Sequence, residues 1–271
     1  MVPTATVSGI PVHFLDAGGP PRSDRPALVL LHAFPLQAAM WDDQVEALST
    51  RWRVVAPDLP GFGSTPPPSD PGAATIDDYA AVVAGLIEHL DIAPAVVGGL
   101  SMGGYATFAL LRSRPELVAA LVLADTRAGA DSSEVAARRA SQADQASTDG
   151  TAELVESMLG TLLSEQTQAQ SPDVVDRARA LMAANPAAGW VAALTAMKGR
   201  PDATSQLADI DVPTLVVVGE HDGASPPAEA EAMAAAIAGA RLEVVPGAGH
   251  LSNLEAPEVF TGIVESFLSG L

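Results

Sequence analysis

Gly99-Leu100-Ser101-Met102-Gly103 sets a serine between glycines, directly after the apolar run 95–100 and before a helical pattern over 102–112. At a sharp strand-to-helix turn, crossing backbones leave no room for neighbouring side chains, and the hydroxyl is raised above the sheet edge. The N–H groups of the helix start favour negative charge developing nearby. Ser101 is therefore a candidate nucleophile, and its hydroxyl needs a base. The chain has 5 histidines and no cysteine, which excludes thiol nucleophiles and thiolate metal sites. His13 falls in an early strand, His89 beside Glu88 near a helix end and His32 in a loop, where packing or solvation accounts for each. His250 differs: it follows the strand 242–245 through Pro246-Gly247-Ala248-Gly249, a loop able to deliver an imidazole to the carboxyl edge of a sheet.

That base needs an orienting carboxylate. Asp222, in Gly219-Glu220-His221-Asp222, ends the strand 214–218 one helix and one strand before His250. Asp125, ending the strand 119–124, is the rival, because the chain order serine, acid, histidine permits both. Glu220 falls within the strand's last turn and suits the role less. The expected catalytic set is Ser101, Asp222 and His250.

The elements that must position them follow from periodicity. Runs at 27–31, 53–56, 95–100, 119–124, 214–218 and 242–245 are short, Val/Leu-rich and hardly alternate, as strands covered on both faces should be. Segments 6–9 and 10–14 read as an opening hairpin. Between the runs lie helical stripes: Tyr79, Val82, Val83, Leu86, Ile87 and Leu90, entered by the capping-box pattern Thr75-Ile76-Asp77-Asp78, and a last helix after Pro257. From Asp125 to Thr214 the alternation stops. Only helical faces appear there: Leu154, Met158 and Leu162; Val174, Ala178 and Leu181; Trp190, Leu194 and Met197. The pattern predicts an α/β fold, a mostly parallel eight-stranded sheet with helices on both faces. Its core is 1–126 and 206–271, with a helical cap, 127–205, inserted between the sixth and seventh strands.

Composition removes other classes. The 271 residues carry a net charge of −19, a field that repels phosphate backbones, so no nucleic-acid partner is expected. No apolar run reaches the length of a membrane span, and 1–12 lacks the basic flank and apolar segment of a secretory leader, so a soluble cytoplasmic protein is expected. The glycine-rich segments lack the lysine of a phosphate loop, and the histidines lack paired ligand spacing; neither nucleotide nor metal is expected.

Taken together, the motifs resemble those of the α/β-hydrolase family over about 12–268. His32-Ala33-Phe34-Pro35 resembles that family's His-Gly-x-Pro oxyanion loop, and Asp58-Leu59-Pro60-Gly61-Phe62-Gly63-Ser64 its loop after the fourth strand. The resemblance implies backbone N–H donors from Phe34 and Met102 and a reaction without a cofactor. Ala33 stands where the family has glycine, so positive φ is not freely open there. Among serine-type relatives the chain is similar to a small capped group containing 3-oxoadipate enol-lactonases and cofactor-free haloperoxidase or perhydrolase-type esterases. That implies a small-molecule ester or lactone cleaved through an acyl-enzyme, with a homo-oligomer compatible. A carbon–carbon hydrolase or lyase using the same triad is the alternative, and a non-catalytic receptor on this fold is less favoured. The segment 127–205 holds 7 of the 14 basic residues along with 10 acids. Those charges read as solvated helix faces, with Trp190, Met158 and Met197 as lining for an apolar acyl pocket.

Overall fold

Leucine and β-branched runs without polar alternation are stable only inside a sheet shielded on both faces. The computed structural model, which describes residues 3–19 and 25–271, puts them there. The strands are β1 (Thr4–Val7), β2 (Ile10–Ala17), β3 (Leu28–Leu31), β4 (Val54–Pro57), β5 (Ala95–Leu100), β6 (Val118–Ala124), β7 (Thr214–Gly219) and β8 (Arg241–Val245). They form one sheet in the order β1-β2-β4-β3-β5-β6-β7-β8, antiparallel where β1 meets β2 and β2 meets β4, and parallel from β4 to β8. Every residue of β3, β4, β5 and β7 is buried. This is the expected mostly parallel, eight-stranded architecture. The opening hairpin is set differently from the reading of 6–9 as a strand. Ser8 and Gly9, with φ of +50° and +83°, form its two-residue turn, and β1 begins two residues earlier.

The helices are α1 (Asp42–Leu48), α2 (Ile76–His89), α3 (Met102–Ser113), α4 (Ser133–Thr148), α5 (Ala152–Leu162), α6 (Glu165–Gln170), α7 (Pro172–Ala183), α8 (Ala187–Lys198), α9 (Pro227–Ala236), α10 (Ser252–Glu255) and α11 (Pro257–Leu268). α2 starts where Thr75 accepts from the Asp78 N–H while the Asp78 carboxylate accepts from the Thr75 N–H, which satisfies two of the helix's orphan donors. α2 packs on α3, and α1 on α11, as two separate pairs that also meet the strands. α4 to α8 fill the chain between β6 and β7, where no strand intervenes. Among the described residues no single helix is long and apolar enough to cross a membrane.

The helical insertion is stitched to the core by polar bonds as well as packing. Asn185, nearly fully buried, donates to the Pro35 carbonyl (2.8 Å) and accepts from the Gly63 N–H (2.8 Å). Gly61 and Gly189 meet backbone to backbone: a Cβ on Gly189 would fall 1.9 Å from the Gly61 carbonyl oxygen. The end of α5 receives the loop between β8 and α10, the Leu162 carbonyl accepting from the N–H groups of both His250 (3.0 Å) and Leu251 (3.2 Å).

Candidate active site

β5 ends in the middle of the sheet, and the chain must reverse sharply to start α3. Ser101 makes that turn at φ +54°, ψ −111°, a conformation an L-residue holds only under constraint. The constraints are visible. Its N–H donates to the Ala124 carbonyl (3.0 Å), and its own carbonyl accepts from the Thr126 hydroxyl (2.9 Å) and the Tyr105 N–H (3.2 Å). Glycine is required on both sides. A Cβ on Gly99 would lie 2.2 Å from the Gly103 backbone, and one on Gly103 would lie 2.2 Å from the Leu31 carbonyl oxygen. Ser101 is left slightly exposed, on the wall of a cavity of about 530 Å³.

His250 lines the same cavity. Its Nδ1 lies 2.9 and 2.8 Å from the two carboxylate oxygens of Asp222, so Nδ1–H donates to the carboxylate and Nε2 is the nitrogen left for a hydroxyl partner. Asp222 is buried and also accepts from the N–H groups of Ala224 and Ser225 (2.8 Å each), which fixes the carboxylate from its other side. The loop carrying His250 is held equally firmly. Glu255 accepts from Gly249 N–H and Ser164 N–H (2.9 Å each), and Glu220 accepts from Gly247 N–H (2.8 Å). A Cβ on Gly219 would fall 2.0 Å from the Gly249 carbonyl oxygen, so the end of β7 and this loop touch directly.

Asp125, the rival acid, does not meet the imidazole. It accepts from Gly219 N–H (2.8 Å) and from the Ser252 hydroxyl, tying the ends of β6 and β7 to the start of α10. Burial first, and the charge of Asp222 second, push its carboxyl well above the usual carboxylate range. His32 is likewise interior: Nδ1–H donates to the Ala33 carbonyl (2.9 Å) and Nε2 accepts from Leu59 N–H (3.0 Å). Burial holds its pKa below the ordinary value, as suits a neutral ring bracing two loops.

Among the described residues, neither the Phe34 N–H nor the Met102 N–H is spent on a protein acceptor. Met102 opens α3, where the first N–H groups have no partner within the helix, and Phe34 lines the cavity. Phe34 is backed by Trp190 (ring centroids 5.1 Å apart, edge to face) and Phe62 (6.2 Å). Trp190 was expected in the substrate pocket, but it is fully buried and forms no part of the cavity wall; it supports Phe34 from behind. Met158 and Met197 do line the cavity.

The departure from the sequence reading is electrostatic. Of the basic residues read as solvated helix faces, Arg127 and Arg139 are part-buried and line the cavity, as does Arg138, which stays exposed at its rim; Glu229 is the one acid in that lining. Asp131 holds Arg139 (2.6 Å), Arg127 (3.4 Å) and the buried Arg200 (2.7 Å); burial alone would raise its pKa, but Arg139 and Arg200 outweigh it and keep the carboxyl below the usual range. Arg200 in turn lies over the Tyr105 ring, 4.0 Å from its centroid. Arg138 has no ion pair among the described residues. Asn185, Glu255 and Thr126, which brace this site, carry no sequence signal of their own. Their roles exist only once distant stretches of chain meet.

The model of the α/β-hydrolase fold family matches residues 26–257, and the chain belongs to that family. It is similar, at 37% identity over 100% of this chain and 98% of the other, with a TM-score of 0.93, to a thermophilic esterase from Thermogutta terrifontis solved with malate bound. It is also similar to the enol-lactonase from Burkholderia xenovorans LB400, at 32% identity over 98% and 100% of the two chains, with a TM-score of 0.90. In sequence it is 26% identical to 3-oxoadipate enol-lactonase 2 of Acinetobacter baylyi, over 98% of this chain and 96% of that one.

Proposed function

We propose that the protein is a serine hydrolase of carboxylic esters or lactones, working through Ser101, His250 and Asp222. One observation carries the reading. A serine held at φ +54° on a strand-to-helix turn shares a cavity wall with an imidazole whose far nitrogen is gripped by a buried carboxylate. Ser101 Oγ attacks the carbonyl carbon while His250 Nε2 takes its proton, and Asp222 fixes the tautomer and steadies the imidazolium. The Phe34 and Met102 N–H groups receive the tetrahedral oxyanion, each worth on the order of 10² to 10³ in rate. Collapse breaks the C–O bond, and the leaving oxygen takes the proton from His250. Water, deprotonated by His250, then cleaves the acyl-enzyme and regenerates the serine. The helices of 127–205 act as a cap over a core of 1–126 and 206–271.

The substrate acid carries a second, remote carboxylate. Arg127, Arg138 and Arg139 line the cavity of a chain whose overall charge is −19, and so local a concentration of positive charge focuses an anion into the site. The names of the esterase and enol-lactonase relatives support the ester or lactone bond. The test is a fluorophosphonate probe with wild type and Ser101→Ala side by side. Stoichiometric labelling of wild type only, with ester and lactone hydrolysis reduced at least 10³-fold in the variant, is expected. A folded wild type that takes no label would sink the hydrolase reading.

A further inference from the structure

A second cavity, of about 610 Å³, adjoins the first. Thr161, on the last turn of α5, and Gly223, directly after Asp222, belong to the walls of both. Each is one residue from a group that holds His250. Thr161 precedes Leu162, whose carbonyl accepts the His250 N–H (3.0 Å), and Gly223 follows the carboxylate bonded to Nδ1 (2.8 Å). The wall the cavities share therefore lies next to the groups that hold the imidazole. In the reaction proposed above, on which this inference rests, the leaving oxygen must come within hydrogen-bonding reach of His250 to take its proton. The leaving-group half of an ester thus starts near that shared wall.

The second cavity differs in chemistry from the first. No arginine lines it; its polar surface comes from Thr161, Ser164, Gln166 and His221, with Glu165 as its acid. Such a wall hydrogen-bonds neutral oxygen atoms and repels a carboxylate. Two residues beyond Gly223, Ser225 is 1% exposed, lines the first cavity and has no hydrogen-bond partner for its hydroxyl. An unsatisfied buried hydroxyl beside a cavity is a donor in want of an acceptor.

We propose that the alcohol portion of the substrate runs past Ser225, between Thr161 and Gly223, into this second cavity, and that the preferred substrates are open-chain esters of extended, neutral, ether- or hydroxyl-rich alcohols. The arginines keep the acid half in the first cavity, so the two halves of the substrate are sorted by charge.

The gap can be narrowed from either wall. A Cβ at Gly223 would meet nothing within 4 Å, and Thr161 is exposed, so larger side chains fit at both positions without displacing the core. The full-length wild type, Gly223→Leu and Thr161→Trp are assayed on two monoesters of one dicarboxylic acid, the methyl ester and the triethylene glycol ester. In wild type the extended ester should have the higher kcat/KM. In both variants the ratio of extended to methyl ester should fall at least tenfold, while Ser101 still labels stoichiometrically with a small fluorophosphonate. A wild type that favours the methyl ester, or a ratio that neither variant lowers, overturns the assignment. Absence of labelling in wild type marks instead the failure of the hydrolase reading, and this inference falls with it.

Discussion

The cavity has two unlike walls. The one supplied by the sheet, Ser101 after β5 and His250 after β8, is held by backbone contacts too close for any side chain, as at Gly99, Gly103 and Gly219. The wall supplied by the insertion, from Arg138 and Arg139 on α4 to Met158 on α5 and Met197 on α8, is made of long side chains, with Arg139 and Arg127 anchored on Asp131. Backbone contact fixes atoms to within a fraction of an ångström, which bond-making requires. Long flexible side chains instead set charge and shape and can change without disturbing the reacting atoms. The division predicts that substitutions in the first wall lower turnover for every substrate, and that substitutions in the second change which substrate is taken.

The most severe test is Asp222→Asn. The amide keeps the size of the side chain but cannot stabilise the imidazolium and favours the wrong tautomer, so kcat should fall by about 10⁴ on all esters with the fold intact. Retention of more than a tenth of wild-type turnover would mean that the sheet wall is not the chemical one. Arg138→Gln probes the other wall. Loss of one charge-assisted hydrogen bond of roughly 1.5–3 kcal/mol should raise KM for an anionic ester about ten- to a hundredfold, with kcat nearly unchanged and neutral esters indifferent. Equal losses on charged and neutral esters would erase the distinction between the walls.

The same division explains what could be read from sequence. The serine elbow, the histidine loop and the acid after β7 are legible because their local constraints fall on neighbouring residues: a glycine on either side, a strand before, a helix after. The sheet is legible because its strands are apolar throughout. The insertion wall is not. α4 buries only Ala146 within itself and carries no apolar stripe, so nothing in its periodicity tells which face turns to the cavity. Arg139 looks like a solvent-facing charge until the turn before α4 places Asp131 against it and brings the distant Arg200 to the same carboxylate. Trp190 illustrates the opposite error. A large aromatic among methionines suggests a pocket, whereas its ring fills the space behind Phe34 and braces the loop that carries it.

The finest test lies within the sheet wall, between the aspartates that end β6 and β7. Both are interior, yet only Asp222 faces the imidazole, a compensating group able to carry positive charge. Asp125 has a backbone N–H and a hydroxyl as partners, and burial, reinforced by Asp222, raises its pKa well above the ordinary value. In the unfolded chain it ionises near pH 4. As the pH rises beyond that point the unfolded state sheds a proton that the folded state retains, so this carboxyl makes folding progressively less favourable until its own raised pKa is passed. Asp125→Asn retains an oxygen for the Gly219 N–H and removes the titration. Relative to wild type, the variant should therefore gain stability as the pH rises above about 4, read as a Tm difference that moves in its favour until the raised pKa of Asp125 is passed, with turnover changed less than tenfold. A Tm difference constant with pH would mean that Asp125 is ionised in the folded protein as it is in the unfolded chain, and that the two strand ends differ by geometry alone.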